Sequence, residues 1–375
     1  MAWVVERKRD DGTSRFLAQY RDPEGRIRSA GTHSSRRAAE RAGNREEQLV
    51  HAGSWFDRSL GVIPFQQYVE KHWLPSKHIE ATTLAAYVSN LNKHFFPFFG
   101  KKPMYQITPS LVQDWVTQAA AEGLSARSIR KYHTMLHSIF KRAVRDQLII
   151  GNPCEHTELP KVVTKKTRTL TPDEFDVLIT AVPDRYRLMV ETAIETGMRW
   201  GELIALKPRH IDFLRRTITV EDTIVEVSRK HSPTGERYVA KPYPKDNEPR
   251  TFAVRQDWLD AVAEHMRLHG LGRDDLLFAT SVGTPISRNT FRTRVWLPAV
   301  KASGVSFSVR MHDLRHAHAS WLLAGGADLK TVMDRLGHAQ IQTTQKYLHA
   351  LAEADQRSID ALNRMTGRRR TPSTS

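Results

Sequence analysis

The spacing of apolar residues changes several times along this chain. Near the start they come in short runs, Trp3-Val4-Val5 and then Phe16-Leu17-Ala18-Gln19-Tyr20, separated by Asp10, Asp11 and Gly12. A second turn signal, Asp22-Pro23-Glu24-Gly25, leads into Arg26-Ile27-Arg28. Short runs bounded by Asp, Pro and Gly predict three antiparallel strands. Ser34 and Ser35 then precede an Ala/Arg/Glu-rich stretch from Arg36 to Val50, which predicts one serine-capped helix.

From residue 62 to 150 the period lengthens to three or four. Phe65, Tyr68, Val69, His72 and Trp73 share one such pattern, and Thr82 or Thr83 is placed to cap a helix through Tyr87, Leu91 and Phe95. Thr108-Pro109-Ser110 opens another through Trp115, and Ser125 opens one with Ile129, Tyr132, Leu136, Ile139 and Phe140 on its apolar side. A bundle of about four helices follows. Gly151-Asn152-Pro153 stops the last of them, and the polar, basic stretch to Arg168 reads as a linker.

Thr171-Pro172-Asp173-Glu174 has the order of a helix start, with a capping hydroxyl, a proline at the first position and acids in the first turn. Beyond it, β-favouring residues from Thr217 to Val227, then Tyr238-Val239-Ala240 and Thr251-Phe252-Ala253-Val254, mark the one strand region of an otherwise helical stretch. The expected architecture is multidomain. A small α+β unit (1–58, three-stranded sheet plus helix) precedes an all-α bundle (60–155) and a basic linker (156–168). A mixed, mostly α unit with a small antiparallel sheet (169–360) follows, then a basic disordered tail (361–375).

Composition narrows the function classes. The 375 residues carry 57 Lys+Arg against 41 Asp+Glu, a formal charge of +16. An excess of this size on a globular composition points to a polyanionic partner, nucleic acid first. Residues 60–168 are the most one-sided, with 15 basic and 7 acidic side chains. Nothing approaches the roughly 20 apolar residues of a membrane span, and the N-terminus lacks the apolar stretch of a signal peptide. A soluble, intracellular protein without a membrane partner is expected. The single cysteine, Cys154, excludes an internal disulfide and any cysteine-based zinc finger.

Candidate chemistry gathers in the second half. Thr196-Gly197-Met198-Arg199-Trp200-Gly201-Glu202-Leu203 sets an arginine between two glycines at a helix start. His312-Asp313-Leu314-Arg315 puts a histidine and an arginine on one helical face. Leu336-Gly337-His338 presents a histidine after a glycine turn, and Tyr347 follows it by nine residues. Two guanidiniums hold the non-bridging oxygens of a phosphodiester with paired hydrogen bonds that lysine cannot copy. A tyrosine hydroxyl, with an ordinary pKa of about 10, becomes a nucleophile beside a base and cations.

In order and spacing these segments resemble the tyrosine recombinase family, the phage integrases, over most of residues 60–360. The N-terminal sheet and helix resembles the arm-type DNA-binding domain found on many integrases. The resemblance implies an arm-type domain (1–58), a helical core-binding domain (60–155) and a catalytic domain (169–360). It implies a site-specific DNA recombinase working through a 3′-phosphotyrosine intermediate, which integrates a phage or mobile element and, with an accessory factor, excises it. Arg199 and Arg315 would clamp the phosphate, Tyr347 would attack, and Lys245 would protonate the departing 5′ oxygen. His312 would assist proton transfer at the tyrosine, His338 would bond a phosphate oxygen, and Glu202 would orient a residue of the site. No metal, ATP or other cofactor is implied. Partners would be double-stranded DNA at core and arm sites, three further copies in a homotetramer, an excisionase and a host DNA-bending protein, in a bacterial cytoplasm. Arg26, Arg28, Arg127, Arg130, Lys131, Lys165 and Lys166 are the expected DNA contacts.

On the residues alone, some assignments stay open. Lys241 competes with Lys245 as general acid, and Glu202 is equally a surface ion-pair partner. His312 and His316 imitate half of a zinc-protease motif, but Arg315 between them opposes a cation. His318 and His349 read as packing or surface residues. A type IB topoisomerase, which uses a similar residue set without pairing two sites, and a catalytically silent DNA-binding regulator are the competing functions.

Overall fold

The computed structural model describes residues 2–8, 10, 12–53, 55, 60–163, 168–232, 234–242 and 249–337. Lys165, Lys166, Lys245, His338, Tyr347 and the tail lie outside the described residues. The chain divides into two compact units, Met1–Thr164 and Lys165–Ser375.

In the first unit, β1 (Trp3–Lys8), β2 (Ser14–Arg21) and β3 (Ile27–His33) form an antiparallel sheet in chain order. Helix α1 (Arg36–His51) lies across it, and Ser35 accepts the Ala38 amide as its cap. The approach is close because residue 43 is glycine: a Cβ there would sit 3.1 Å from that of Ala2. Arg28 pairs with buried Asp22 at 2.9 Å and Arg26 with Glu24 at 2.7 Å, so both have local partners in the β2–β3 turn.

The helical part begins with α2 (Phe65–Tyr68), which continues through a π turn to Trp73. Next comes α3 (Ala81–Asn90), extended through a second π turn into α4 (Phe96–Phe99). The chain turns helical before either expected threonine cap, so Thr82 and Thr83 sit inside the first turn and Glu80 stands at the N-cap without a side-chain capping bond. Helices α5 (Pro109–Ala121) and α6 (Ala126–Arg145) start at their expected caps, Thr108 and Ser125. Their apolar sides close on Phe65, Phe95, Phe99 and Phe140, while Arg127, Arg130 and Lys131 stay exposed on α6. Arg130 donates to the carbonyls of Leu159 and Pro160, and Gln113 accepts the Glu158 amide. The first residues of the expected linker are thereby held on the bundle.

The second unit opens with α7 (Pro172–Thr180), where Thr171 and Glu174 form the reciprocal cap its sequence predicts. Helices α8 (Asp184–Thr196) and α9 (Trp200–Leu203) lead to two small antiparallel sheets rather than one. One joins β4 (Ile211–Asp212), β5 (Thr217–Val220) and β8 (Arg250–Ala253); the other pairs β6 (Thr223–Glu226) with β7 (Tyr238–Lys241). The expected strand from Thr217 to Val227 breaks at Glu221 and Asp222, whose carboxylates turn toward His210 at 3.4 and 3.3 Å. The remaining helices are α10 (Gln256–His269), α11 (Arg288–Phe291), α12 (Leu297–Ala302), α13 (Met311–Ala324) and α14 (Leu329–Leu336). Leu178, Val190, Ile218, Val262 and Leu314 are fully enclosed where they meet. No described helix is long and apolar enough to cross a membrane.

Candidate active site

The site is assembled around the end of α14. Helix α8 stops at Gly197, in the left-handed region at φ +63°, where a Cβ would lie 2.7 Å from the His318 ring and 2.8 Å from Leu336. Only glycine meets both demands. The turn delivers Arg199 to the N-cap of α9, where Glu202 accepts its backbone amide at 2.9 Å and its Nη1 at 3.0 Å. The Glu202 side chain is 1% exposed, and Arg250 at the start of β8 donates to both carboxylate oxygens, at 2.5 and 3.2 Å. Burial alone would raise the Glu202 carboxyl; the Arg250 and Arg199 guanidiniums outweigh it and hold the group below its ordinary 4.5.

Three consecutive carbonyls at the α14 terminus each accept from a different arginine. Arg250 Nε donates to Arg335 O at 2.9 Å, Arg315 Nη2 to Leu336 O, and Arg199 Nη2 to Gly337 O at 2.8 Å. A helix C-terminus leaves its last carbonyls unbonded and carries partial negative charge, so cations settle there. Arg315 is buried, and its Nη1 also donates to Gly197 O at 2.7 Å. The arginines expected to act together, 116 positions apart by their numbers, are anchored on neighbouring carbonyls.

His312 stands in the first turn of α13, exposed, one turn before Arg315, with its ring edge-on to His316 at 4.8 Å. Desolvation first, then His316 and Arg315, push its pKa down to about 4, so the ring is neutral near pH 7. Asp313 is tied to Arg310 through its backbone amide and guanidinium, both at 2.7 Å.

Behind these residues lies a second knot. His318, buried, donates from Nδ1 to Ile194 O at 2.7 Å and accepts Arg335 Nε on Nε2 at 3.0 Å. Burial first and Arg335 next push its pKa down to about 3, so this ring is neutral. Arg335 also reaches Ala253 O and Glu195 O and lies over the Phe252 ring at 4.4 Å. Sequence reasoning placed His318 in packing and gave Arg250 and Arg335 no role; no spacing rule connects Arg250 to Glu202 across 48 positions.

Of the competing lysines, Lys241 ends β7 and is half-buried, whereas Lys245 lies outside the described residues, as do His338 and Tyr347. Among the described residues, one group has donors spaced for a metal: His210, Glu221 and Asp222. Arg209 already occupies it, donating to His210 Nε2 at 3.2 Å and to Asp222 at 2.7 Å.

The phage integrase family matches residues 168–354, and the phage integrase N-terminal SAM-like domain matches residues 65–119. A prophage phiRv2 integrase of Mycobacterium tuberculosis is 30% identical over 95% of this chain and 94% of its own length. The tyrosine recombinase XerC of Anoxybacillus flavithermus is 29% identical over 73% of this chain and 88% of its own. In fold the chain is similar to lambda integrase, solved as a dimer on a core site (TM-score 0.60, 24% identity, 91% of this chain and 93% of that one). The same enzyme solved as a tetramer on a Holliday junction gives a TM-score of 0.57, 24% identity, and 89% and 95% coverage. The chain therefore belongs to the phage integrase family, as a DNA-binding enzyme of the tyrosine-recombinase type that carries out site-specific DNA recombination.

Proposed function

We propose that the chain integrates a phage or mobile element by cleaving each strand through a 3′-phosphotyrosine at Tyr347, and that with an accessory factor it excises the same DNA. The observation that carries this reading is the seating of Arg199 and Arg315 on adjacent carbonyls at the end of α14, directly before His338. As the tyrosine oxygen attacks, charge grows on the non-bridging oxygens, and donors already fixed in place stabilise it without reorganising. His338 adds a hydrogen bond there. His312, held neutral, takes up the tyrosine proton. Lys245, with Lys241 as its competitor, returns a proton to the 5′ oxygen. The phosphotyrosine conserves the bond energy, so rejoining uses neither ATP nor metal.

In this reading residues 1–58 bind arm sites, 60–155 grip the core site and 169–360 perform the chemistry, with the basic linker at 156–168 crossing the duplex and the basic tail after 360. Arg127 and Lys131, exposed on α6, together with Lys165 and Lys166, contact phosphates. Four copies assemble on two core sites, as lambda integrase does on its junction, with an excisionase and a host bending protein setting direction. The test is recombination of a plasmid carrying both attachment sites, in chelator and without ATP. Recombinant product is expected. Relaxation of plasmids irrespective of paired sites, with no recombinant, would replace the reading by a topoisomerase.

A further inference from the structure

We infer that Arg250 is a positioning residue for the phosphate clamp: it fixes Arg199 from two sides, through Glu202 and through the end of α14. The inference rests on the clamp assignment above. Arg250 is 9% exposed in its side chain and spends its fork on both oxygens of Glu202 and its Nε on Arg335 O. The same carboxylate grips Arg199 by backbone and side chain, and the peptide after the next carries the carbonyl that holds the Arg199 Nη2. Its stem also packs under Gly337, where a Cβ would meet Arg250 Cδ and Nη1 at 3.3 Å.

Two cations on one buried carboxylate set the balance. With Arg250 present, Glu202 keeps a full partner besides Arg199, and Arg199 can lean outward to its carbonyl and to a phosphate. With it removed, Glu202 retains Arg199 as its remaining close guanidinium among these bonds, and the pull on Arg199 turns inward. A lysine cannot stand in for the fork, because one ammonium cannot serve two carboxylate oxygens and a carbonyl in the same planar geometry.

The experiment compares single-turnover cleavage of two nicked duplexes spanning the attachment junction, one with an ordinary scissile phosphate and one with a neutral methylphosphonate. Wild type, Arg250→Lys and Arg199→Ala are measured, with duplex affinity and melting temperature alongside. A misplaced clamp slows the ordinary substrate by about 100-fold. The neutral substrate develops less charge for a clamp to hold, so Arg250→Lys should approach the wild-type rate on it, as should Arg199→Ala. Affinity should stay within about twofold, since the contacts that bind DNA are made elsewhere. Equal slowing on both substrates, or a normal rate on the ordinary one while Arg199→Ala is impaired, would overturn the inference and leave the clamp standing. Normal cleavage by Arg199→Ala would instead remove the clamp itself. If Arg250→Lys does not fold, Arg250→Gln, which leaves the Glu202–Arg199 pair intact and keeps one amide donor for the carboxylate, carries the same comparison.

Discussion

In the proposed mechanism Arg199 and Arg315 share a task, yet they are held differently, and the difference is measurable. Arg315 is 2% exposed and satisfies two carbonyls from within the core, whereas the Arg199 side chain is 28% exposed. Replacing either by alanine should slow cleavage by about 100- to 1000-fold, the range for losing one preorganised donor. Arg315→Ala should also lower the melting temperature more, because each buried carbonyl left unpaired costs about 1–3 kcal/mol. Single-turnover kinetics and thermal melting check both; equal stabilities would mean that the buried bonds contribute little. That Glu202 lies one helical turn from Arg199 was legible in the sequence; that it binds Arg199 while buried is what the structure adds. Arg250 was not legible: its partnership is set by where β8 meets α9, which no local spacing records.

His318 gives the same scale a pH dependence. Its folded pKa lies near 3, far below its ordinary 6.5. The unfolded chain therefore binds a proton that the folded one refuses. This contribution is complete above pH 6.5 and is lost as pH falls toward 3, at up to about 1.4 kcal/mol per pH unit. The depressed Glu202 acts in the same direction, but only below its ordinary 4.5. Melting followed from pH 7 to pH 5 should fall more steeply for the wild type than for His318→Gln. Parallel curves would show that the ring titrates alike in both states.

At the level of elements, helix starts were the most readable feature. Ser35, Thr108, Ser125 and Thr171 each cap where their sequence predicts, because a capping hydroxyl acts within three residues. Helix ends and strand breaks were less so. At the split between β5 and β6, Asp222 pairs with Arg209 from the turn before β4, a tertiary contact that local sequence does not record. The α14 terminus likewise depends on three arginines from distant elements. Its glycine is the point at which substitution is constrained. Gly337→Ala must hold φ +63° with its Cβ against Arg250, and should cost about 1–2 kcal/mol. Gly197→Ala should cost more, because its Cβ would strike His318 and Leu336 inside 3 Å. Denaturant melts would check the order; equal losses would mean that the site relaxes freely around Gly197.

For the whole molecule, the charge of +16 favours a polyanionic partner and makes binding to it salt-dependent, whereas in the proposed mechanism the arginine knot carries the chemistry. The small sheet with α1 is the part whose purpose is most separable. Removing residues 1–58 should abolish binding to arm-site duplexes while core-site binding persists, read by gel shift. Undiminished arm binding would assign the sheet another purpose. The mostly helical, multidomain character with small antiparallel sheets was legible because it rests on periodicity, and among the described residues the first arginine box and the His312–Arg315 box were legible as short motifs. The second sheet and the Arg335–His318 knot were not, because they arise only once distant segments pack.

The central claim is that this site forms a covalent bond to DNA through one tyrosine, and a trapped adduct tests it most directly. Wild type and Tyr347→Phe would be incubated with a nicked duplex spanning the attachment junction and resolved on a denaturing gel. The account predicts a shifted protein–DNA band for the wild type alone, with both proteins binding the duplex equally before denaturation. A band that persists in Tyr347→Phe, or its absence in a wild type that demonstrably binds, would contradict it.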